Sequence, residues 1–207
     1  MNDRDLLLNG MKPFEEKKFN IPKLKGISSK TIEEHLKLYS GYVKNLNLIF
    51  EKIGELMSDP VKNAYLVGEF HRRTGFEFNG MRNHEIYFGS LEGGAQTLPE
   101  DSLFKKEIEK QAPSLDAAIM GFKTLAMTRG IGWSILYWDK ASEQLVAAWI
   151  DEQHLGQLQG AQPVLALDMW EHSYVADYQP SGKKQYVEDF FENLNWTKIE
   201  ENFKNAQ

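Results

Sequence analysis

The stretch LALDMWEHSY, residues 165–174, decides how this chain is read. The apolar run that ends at Leu167 has the look of a buried strand, Asp168 terminates it, and Trp170, Glu171 and His172 follow at once. A carboxylate taken out of water needs a cation or several strong hydrogen bonds to compensate its charge. An imidazole four positions further on is a candidate member of whatever supplies that compensation.

Working outward from this point, GWSILYW (132–138), QLVAAWI (144–150) and PVLALD (163–168) are short runs rich in β-branched and aromatic residues. A polar loop separates the first two, which predicts an antiparallel meander. Residues 92–99 carry two glycines and a proline, and two helical stretches follow at about 100–111 and 113–128. Upstream the period is helical. Ile32, Leu36, Tyr39, Val43, Leu46, Ile49, Phe50 and Ile53 recur three or four apart, which predicts one long amphipathic helix capped by Ser28 or Ser29. Asp59-Pro60 opens a second helix toward Arg73, GFEFNG (75–80) interrupts it, and Met81 to Leu91 reads as its continuation. Further helices begin near 172, 184 and 196. The expected fold class is α+β: an N-terminal extension (1–20), a helical hairpin (21–95), then an α/β C-terminal domain (96–207) with a small three-stranded antiparallel sheet.

The 207 residues carry 24 basic and 30 acidic side chains, a net charge of −6, which argues against a general affinity for nucleic acid. Cysteine is absent, so thiolate metal sites, disulfides and cysteine nucleophiles drop out, and any metal must be held by N and O donors. No run approaches the roughly 18 apolar residues of a membrane span, and the first residues lack the pattern of a secretory signal. The expectation is a cytoplasmic protein with no membrane partner.

Of the five histidines, His35, His71, His84, His154 and His172, two fall on apolar helix faces. His35 lies between Ile32 and Leu36 and one turn before Tyr39; His84 precedes Tyr87 by three and Phe88 by four. A single histidine on such a face is ordinarily a core residue with one hydrogen bond. Two of them on helices predicted to pair, with Asp168 and His172 at a strand end, instead form a candidate ligand set. Three neutral imidazoles and one carboxylate suit Fe, Mn or Zn.

TIEEHLKLYSGYVKNLN (31–47), NHEIYF (83–88), GIGWSIL (130–136), LALDMWEHSYVADY (165–178) and VEDFFENLNW (187–196) together resemble the iron/manganese superoxide dismutase family over roughly residues 20 to 204. The D-x-W-E-H-x-Y pattern is highly specific. The resemblance places the metal ligands on His35, His84, Asp168 and His172, the same four residues grouped above. It implies one Mn or Fe ion per subunit that cycles between two oxidation states and converts superoxide to O2 and hydrogen peroxide, with proton uptake keeping the site's charge constant. It makes Tyr42 the gateway tyrosine. The amide that tunes the ion by hydrogen bonding comes from one of two places in the family. The iron-type place is Gly80 here, so no amide can come from it; the manganese-type place matches Gln153 best, with His154 as the alternative, which leans the site toward manganese. Glu171 resembles the residue that crosses a twofold interface to the partner's ligand histidine and so implies a homodimer, or a pair of dimers.

The chain also departs from the family. His35 and Tyr42 are seven apart, where the family usually has eight; at about 100° per residue seven positions return to the same helix face, so the first helix should be regular, without a π-bulge. Leu38 and Val175 stand where the family has a polar pair at its dimer interface, Lys183 near an arginine and Ile135 where it has a second tryptophan. Two other classes compete with a dismutase: a non-catalytic structural protein that reuses the fold, which would have no need of the ligands, and a zinc hydrolase, for which four protein ligands leave little room at the metal.

Overall fold

The computed structural model describes residues 12–207. Residues 1–11 of the N-terminal extension lie outside the described residues. Helix α1 spans Ser29–Leu56 and α2 spans Ala64–Leu91; α3 (Leu103–Gln111) and α4 (Leu115–Ala126) lead into strands β1 (Gly132–Asp139), β2 (Gln144–Asp151) and β3 (Gln162–Asp168). A 3-10 turn at Glu171–Ser173 follows β3, and the chain ends with α5 (Val175–Tyr178), α6 (Lys183–Glu192) and α7 (Trp196–Ala206). Among the described residues no helix is long and apolar enough to cross a membrane.

Ser28 starts α1 by accepting a hydrogen bond from the Thr31 amide at 3.1 Å. The helix then runs as unbroken α-helix to Leu56, with no π turn between His35 and Tyr42. Seven positions therefore set both side chains on one face. Its buried stripe, Ile32, His35, Tyr39, Val43, Leu46, Ile49 and Ile53, packs against α2.

Two expectations are corrected. GFEFNG does not interrupt the second helix: α2 is continuous through Gly75 and Gly80. Glycine costs a helix about 1 kcal/mol per residue, and here tertiary contacts outweigh it. A Cβ at Gly80 would stand 2.5 Å from the Tyr42 ring, so close passage of the two helices requires a bare backbone at this position. Arg73 pairs with Glu77 at 2.8 Å, and the Asn79 side chain donates to Gly75 O at 2.7 Å, tying the weak turn together. The three strands are antiparallel, but their order is β2-β1-β3, so β3 lies beside β1 rather than continuing a meander. As an edge strand β3 tolerates Pro163, near which the register with β1 shifts.

The site-bearing end of the sheet is fixed by pairing. Trp133 stands between Ile150 and Asp168 across the three strands. Helix α2 packs on β3, and Tyr87, Phe88, Trp133 and Phe190 form the centre of one continuous core. The segment before α1 lies along the hairpin: the Lys17 amide donates to the Tyr39 hydroxyl at 2.8 Å, Phe14 and Asn47 exchange two hydrogen bonds of 2.9 Å, and Phe19 and Ile21 pack against the core.

Candidate metal centre

Four elements bring one donor atom each to a common point. Helix α1 contributes His35, α2 contributes His84, the last residue of β3 is Asp168, and the 3-10 turn after it swings His172 back over the strand end. The Nε2 atoms of His35, His172 and His84 lie 3.1, 3.2 and 3.6 Å from Asp168 Oδ2. All four ligand atoms fall within 4.8 Å of one another. The turn is pinned by Ser173, whose hydroxyl donates to Asp168 O at 3.0 Å, and by the Trp170 amide, which donates to Asp168 Oδ1 at 2.8 Å. Asp168 is thus left with Oδ2 facing the three rings.

Protonation states follow from the surroundings. Gly80 O lies 2.6 Å from His84 Nδ1, so that nitrogen carries the proton and Nε2 presents a lone pair. Yet His84 Nε2 is buried and has no hydrogen-bond partner. A buried acceptor without a donor is costly, and this one faces the same point as the other three ligand atoms; a cation is what this donor set fits. Burial, with His35 close by, pushes His84 down to about 3, and burial lowers His35 as well. Burial alone would raise Asp168, but the His172 and His35 rings against Oδ2 outweigh it and hold the carboxyl below the ordinary carboxylate range. Two neutral imidazoles beside an ionised carboxylate are the forms a metal requires of its ligands.

The sign of the acid response is fixed by these shifts. His84 and His35 take up protons more readily unfolded than folded, so below about pH 6.5 the metal-free protein loses stability as pH falls, until His84 itself titrates near 3. Asp168, lowered in the fold, adds to the loss only below its unfolded range near 4. We expect unfolding free energy of the metal-free protein to fall by up to about 1.4 kcal/mol per pH unit for each buried histidine, measured by urea denaturation from pH 7 to 4. A flat profile would contradict the buried neutral pair.

A second layer of hydrogen bonds stands beside the cluster. The Tyr42 ring lies 5.0 Å from that of His84. Its hydroxyl oxygen accepts from Gln153 Nε2 at 2.9 Å, while Gln153 Oε1 accepts from the Trp133 indole at 2.8 Å. Asn83 holds the Gln153 backbone, donating to its carbonyl at 3.1 Å. Gln153 is fully buried. His154, one residue on, points instead to Phe76 with ring centroids 5.7 Å apart, and His71 lies exposed on α2. The tight turn that joins Asp151 to Leu155, with Glu152 at φ 51°, sends Gln153 toward Tyr42 and Trp133 and leaves the half-buried His154 against Phe76.

Trp133 and Asn83 are parts of this layer that the sequence reading did not single out. The usable signal for Trp133 was its place opposite Asp168 in the sheet, which requires the strand order. Glu171 is solvent-exposed, and the His172 side chain keeps 24% of its surface open. Lys183 turns away from the centre, donating to Thr128 O at 2.7 Å and lying over Trp149. Ile135 is buried in β1, Leu38 is exposed and Val175 half-buried.

Comparison with known proteins agrees with this geometry. The family described as "Iron/manganese superoxide dismutases, C-terminal domain" matches residues 100–202. A "Superoxide dismutase [Fe]" of Aquifex pyrophilus is 35% identical over 188 residues, covering 88% of this chain and 87% of the relative. The chain belongs to the iron/manganese superoxide dismutase family. Members named for the other metal are also similar: a "Superoxide dismutase [Mn], mitochondrial" of Glossina morsitans morsitans is 32% identical over 185 residues, 87% of this chain and 83% of the relative. A "Superoxide dismutase [Mn]" of Haloarcula marismortui is 32% identical over 174 residues, 81% of this chain and 80% of the relative. In this family setting the cluster of His35, His84, Asp168 and His172 is a site able to hold a metal ion.

Proposed function

We propose that this protein is a superoxide dismutase in which His35, His84, Asp168 and His172 hold one Fe or Mn ion. The observation that carries the reading is the convergence of three imidazole nitrogens on one buried carboxylate oxygen, with His84 Nε2 lacking any protein donor. When bound, the ion supplies reversible one-electron chemistry, so that two superoxides and two protons become O2 and hydrogen peroxide.

The chain's own residues set the conditions. Asp168 brings a single negative charge against a divalent or trivalent ion, so the centre stays positive toward an anionic substrate despite the chain's net −6. Tyr42 keeps its phenolic proton because burial raises it well above the ordinary tyrosine value. Since its oxygen accepts from Gln153, its own O–H is free to point into the site as a proton donor. Gln153 is held by Trp133 on one side and Tyr42 on the other, so its remaining N–H is fixed in direction. Four protein ligands argue against a zinc hydrolase, and a purely structural protein has no use for the set.

Gly80 and Gln153 lean the site toward manganese, and the test is to load metal-free protein separately with Mn and Fe and assay superoxide removal. Activity in at least one form, with the Mn form the faster, is expected. Inactivity of both defeats the dismutase reading, and equal rates defeat the lean.

A cytoplasmic homodimer is part of the same reading. A ligating histidine ordinarily has its other nitrogen held by a carboxylate or carbonyl. Gly80 O does this for His84; among the described residues nothing bonds to Nδ1 of His35 or His172, and of these two only His172 is partly open to solvent, with Glu171 exposed beside it. A partner's glutamate supplies the missing acceptor, and the exchange is reciprocal under twofold symmetry. Glu171→Ala is expected to shift the protein toward monomer in sedimentation and to weaken metal retention by roughly 10–100-fold. A dimer of unchanged stability with full metal would remove Glu171 from the interface.

A further inference from the structure

A line of tyrosines leads away from the cluster. The Tyr87 ring lies 5.0 Å, centroid to centroid, from the His35 ring. Its hydroxyl stands 3.2 Å from that of Tyr186, and the Tyr186 ring is 5.9 Å from Tyr178. The Tyr178 hydroxyl donates to Asp189 Oδ2 at 2.9 Å. Tyr87 and Tyr186 are fully buried, whereas Tyr178 is half-buried and marks the point where the line reaches the surface.

The three phenols differ in what faces them. Tyr186 donates to the backbone carbonyl of Asp168 at 2.9 Å, and the Tyr87 hydroxyl meets only that of Tyr186. Neither faces a base. Tyr178 alone faces a carboxylate, one steadied by Gln185 at 3.1 Å and lying 3.9 Å from Lys25 Nζ, itself largely in solvent. Gly26 closes over this pair: it adopts φ +74°, and a Cβ there would collide with the Asp189 carboxylate and the Tyr178 hydroxyl. A phenol that passes an electron on keeps the oxidising equivalent as a neutral radical only when its proton can leave, so the equivalent comes to rest at the phenol that faces a base. Electron transfer also falls off steeply with distance, so closely spaced phenols, two of them joined through their hydroxyls, carry an electron in short steps where one long step would be slow.

We infer that Tyr178, Tyr186 and Tyr87, with Asp189 as proton acceptor, form a one-electron path between the protein surface and the metal cluster, used when hydrogen peroxide is reduced there. The inference rests on the dismutase reading, which makes peroxide beside the cluster. Reducing one peroxide to two waters takes two electrons and two solvent protons. A reduced iron held by the four ligands would supply one electron, and Tyr178 supplies the other through Tyr186 and Tyr87. The Tyr178 O–H bond breaks, its proton passes to Asp189 Oδ2, and a neutral phenoxyl radical remains. A small thiol or enediol from solution restores the phenol by giving it a hydrogen atom, and Asp189 returns its proton to water. The path keeps oxidising equivalents from being spent on Trp133, Trp170 and the ligand histidines.

The test uses the full-length iron-loaded protein, reduced, mixed with excess hydrogen peroxide and frozen for electron paramagnetic resonance, with oxidised residues mapped by mass spectrometry. A tyrosyl radical is expected in the native protein. It is lost in Tyr178→Phe and weakened in Asp189→Asn, and oxidation moves to Trp133, Trp170 and the histidines. Tyr65→Phe, at an exposed ring on the hairpin, leaves the signal unchanged. Superoxide removal before peroxide is added is the same in all four proteins. No radical in native protein that removes superoxide, or an unchanged radical in Tyr178→Phe, overturns the path and leaves the dismutase reading standing. Native protein that does not remove superoxide overturns both.

Discussion

Asp168→Asn is expected to give a folded protein that no longer retains its metal. Asparagine keeps the volume of the side chain and an oxygen in place of Oδ1 for the Trp170 amide, now 2.8 Å away, so the turn that carries His172 keeps its anchor. What changes is the atom facing the three rings. With the oxygen kept for Trp170, the ionised Oδ2 becomes an N–H donor, and the site loses its one formal negative charge. Removing an outer hydrogen-bond partner of a ligand costs roughly 10–100-fold in affinity, and removing the ligand itself should exceed that. In the metal-free protein the His172 and His35 rings hold Asp168 ionised, so replacing the carboxylate forfeits that pairing and lowers stability. The expected pattern is metal content after dialysis near zero and superoxide removal lost, with the metal-free variant still folded at a thermal midpoint below that of the parent. A variant that keeps one ion per chain and its activity would place the chemistry elsewhere, and a variant that fails to fold would show that Asp168 serves the turn more than the ion.

The cluster able to hold a metal ion was legible in the sequence because each member carries a local signature. His35 and His84 interrupt apolar stripes whose helical period is plain, and Asp168 and His172 sit in a short pattern that combines a strand end with a turn. The helical hairpin and three strands followed from the same periodicities. Strand order was less accessible, since adjacency of β3 to β1 is a property of packing between distant segments that no local period encodes. Continuity of α2 was misread for a related reason. Glycine at 75 and 80 weakens a helix in isolation, but Gly80 is required by the Tyr42 ring lying against it, a contact between residues 38 positions apart. That one contact also explains why no side chain can occupy position 80, and so why an amide for this site has to come from the other side. Trp133 passed for an ordinary core aromatic, because its indole N–H shows its purpose only once Gln153 is placed against it. Gln153 and His154 could not be separated by pattern alone, since a tight turn can gain or lose a residue without leaving a trace in composition.

The choice between those two residues makes the remaining large prediction. Gln153→Leu keeps a similar volume but removes both ends of the amide at once. The Trp133 indole N–H, fully buried, then has no acceptor, and Tyr42 loses the donor that orients its hydroxyl. An unpaired buried donor costs about 1–3 kcal/mol, which for a chain of this size lowers Tm by about 2–4 °C for each kcal/mol. The larger effect falls on chemistry, because the amide fixes both the tyrosine and its own free N–H beside the ion: superoxide removal should drop roughly 10–100-fold at unchanged metal content. On the role proposed for Gln153, the balance between Fe and Mn forms should shift as well. His154→Ala truncates a ring that touches Phe76 and meets neither Tyr42 nor Trp133, so its activity should stay within about twofold of the parent, with only the modest stability loss of a partly buried side chain. The reverse pattern, with His154→Ala inactive and Gln153→Leu active, would assign the outer contact to the histidine and require the turn from Glu152 to Leu155 to shift by one residue when metal binds.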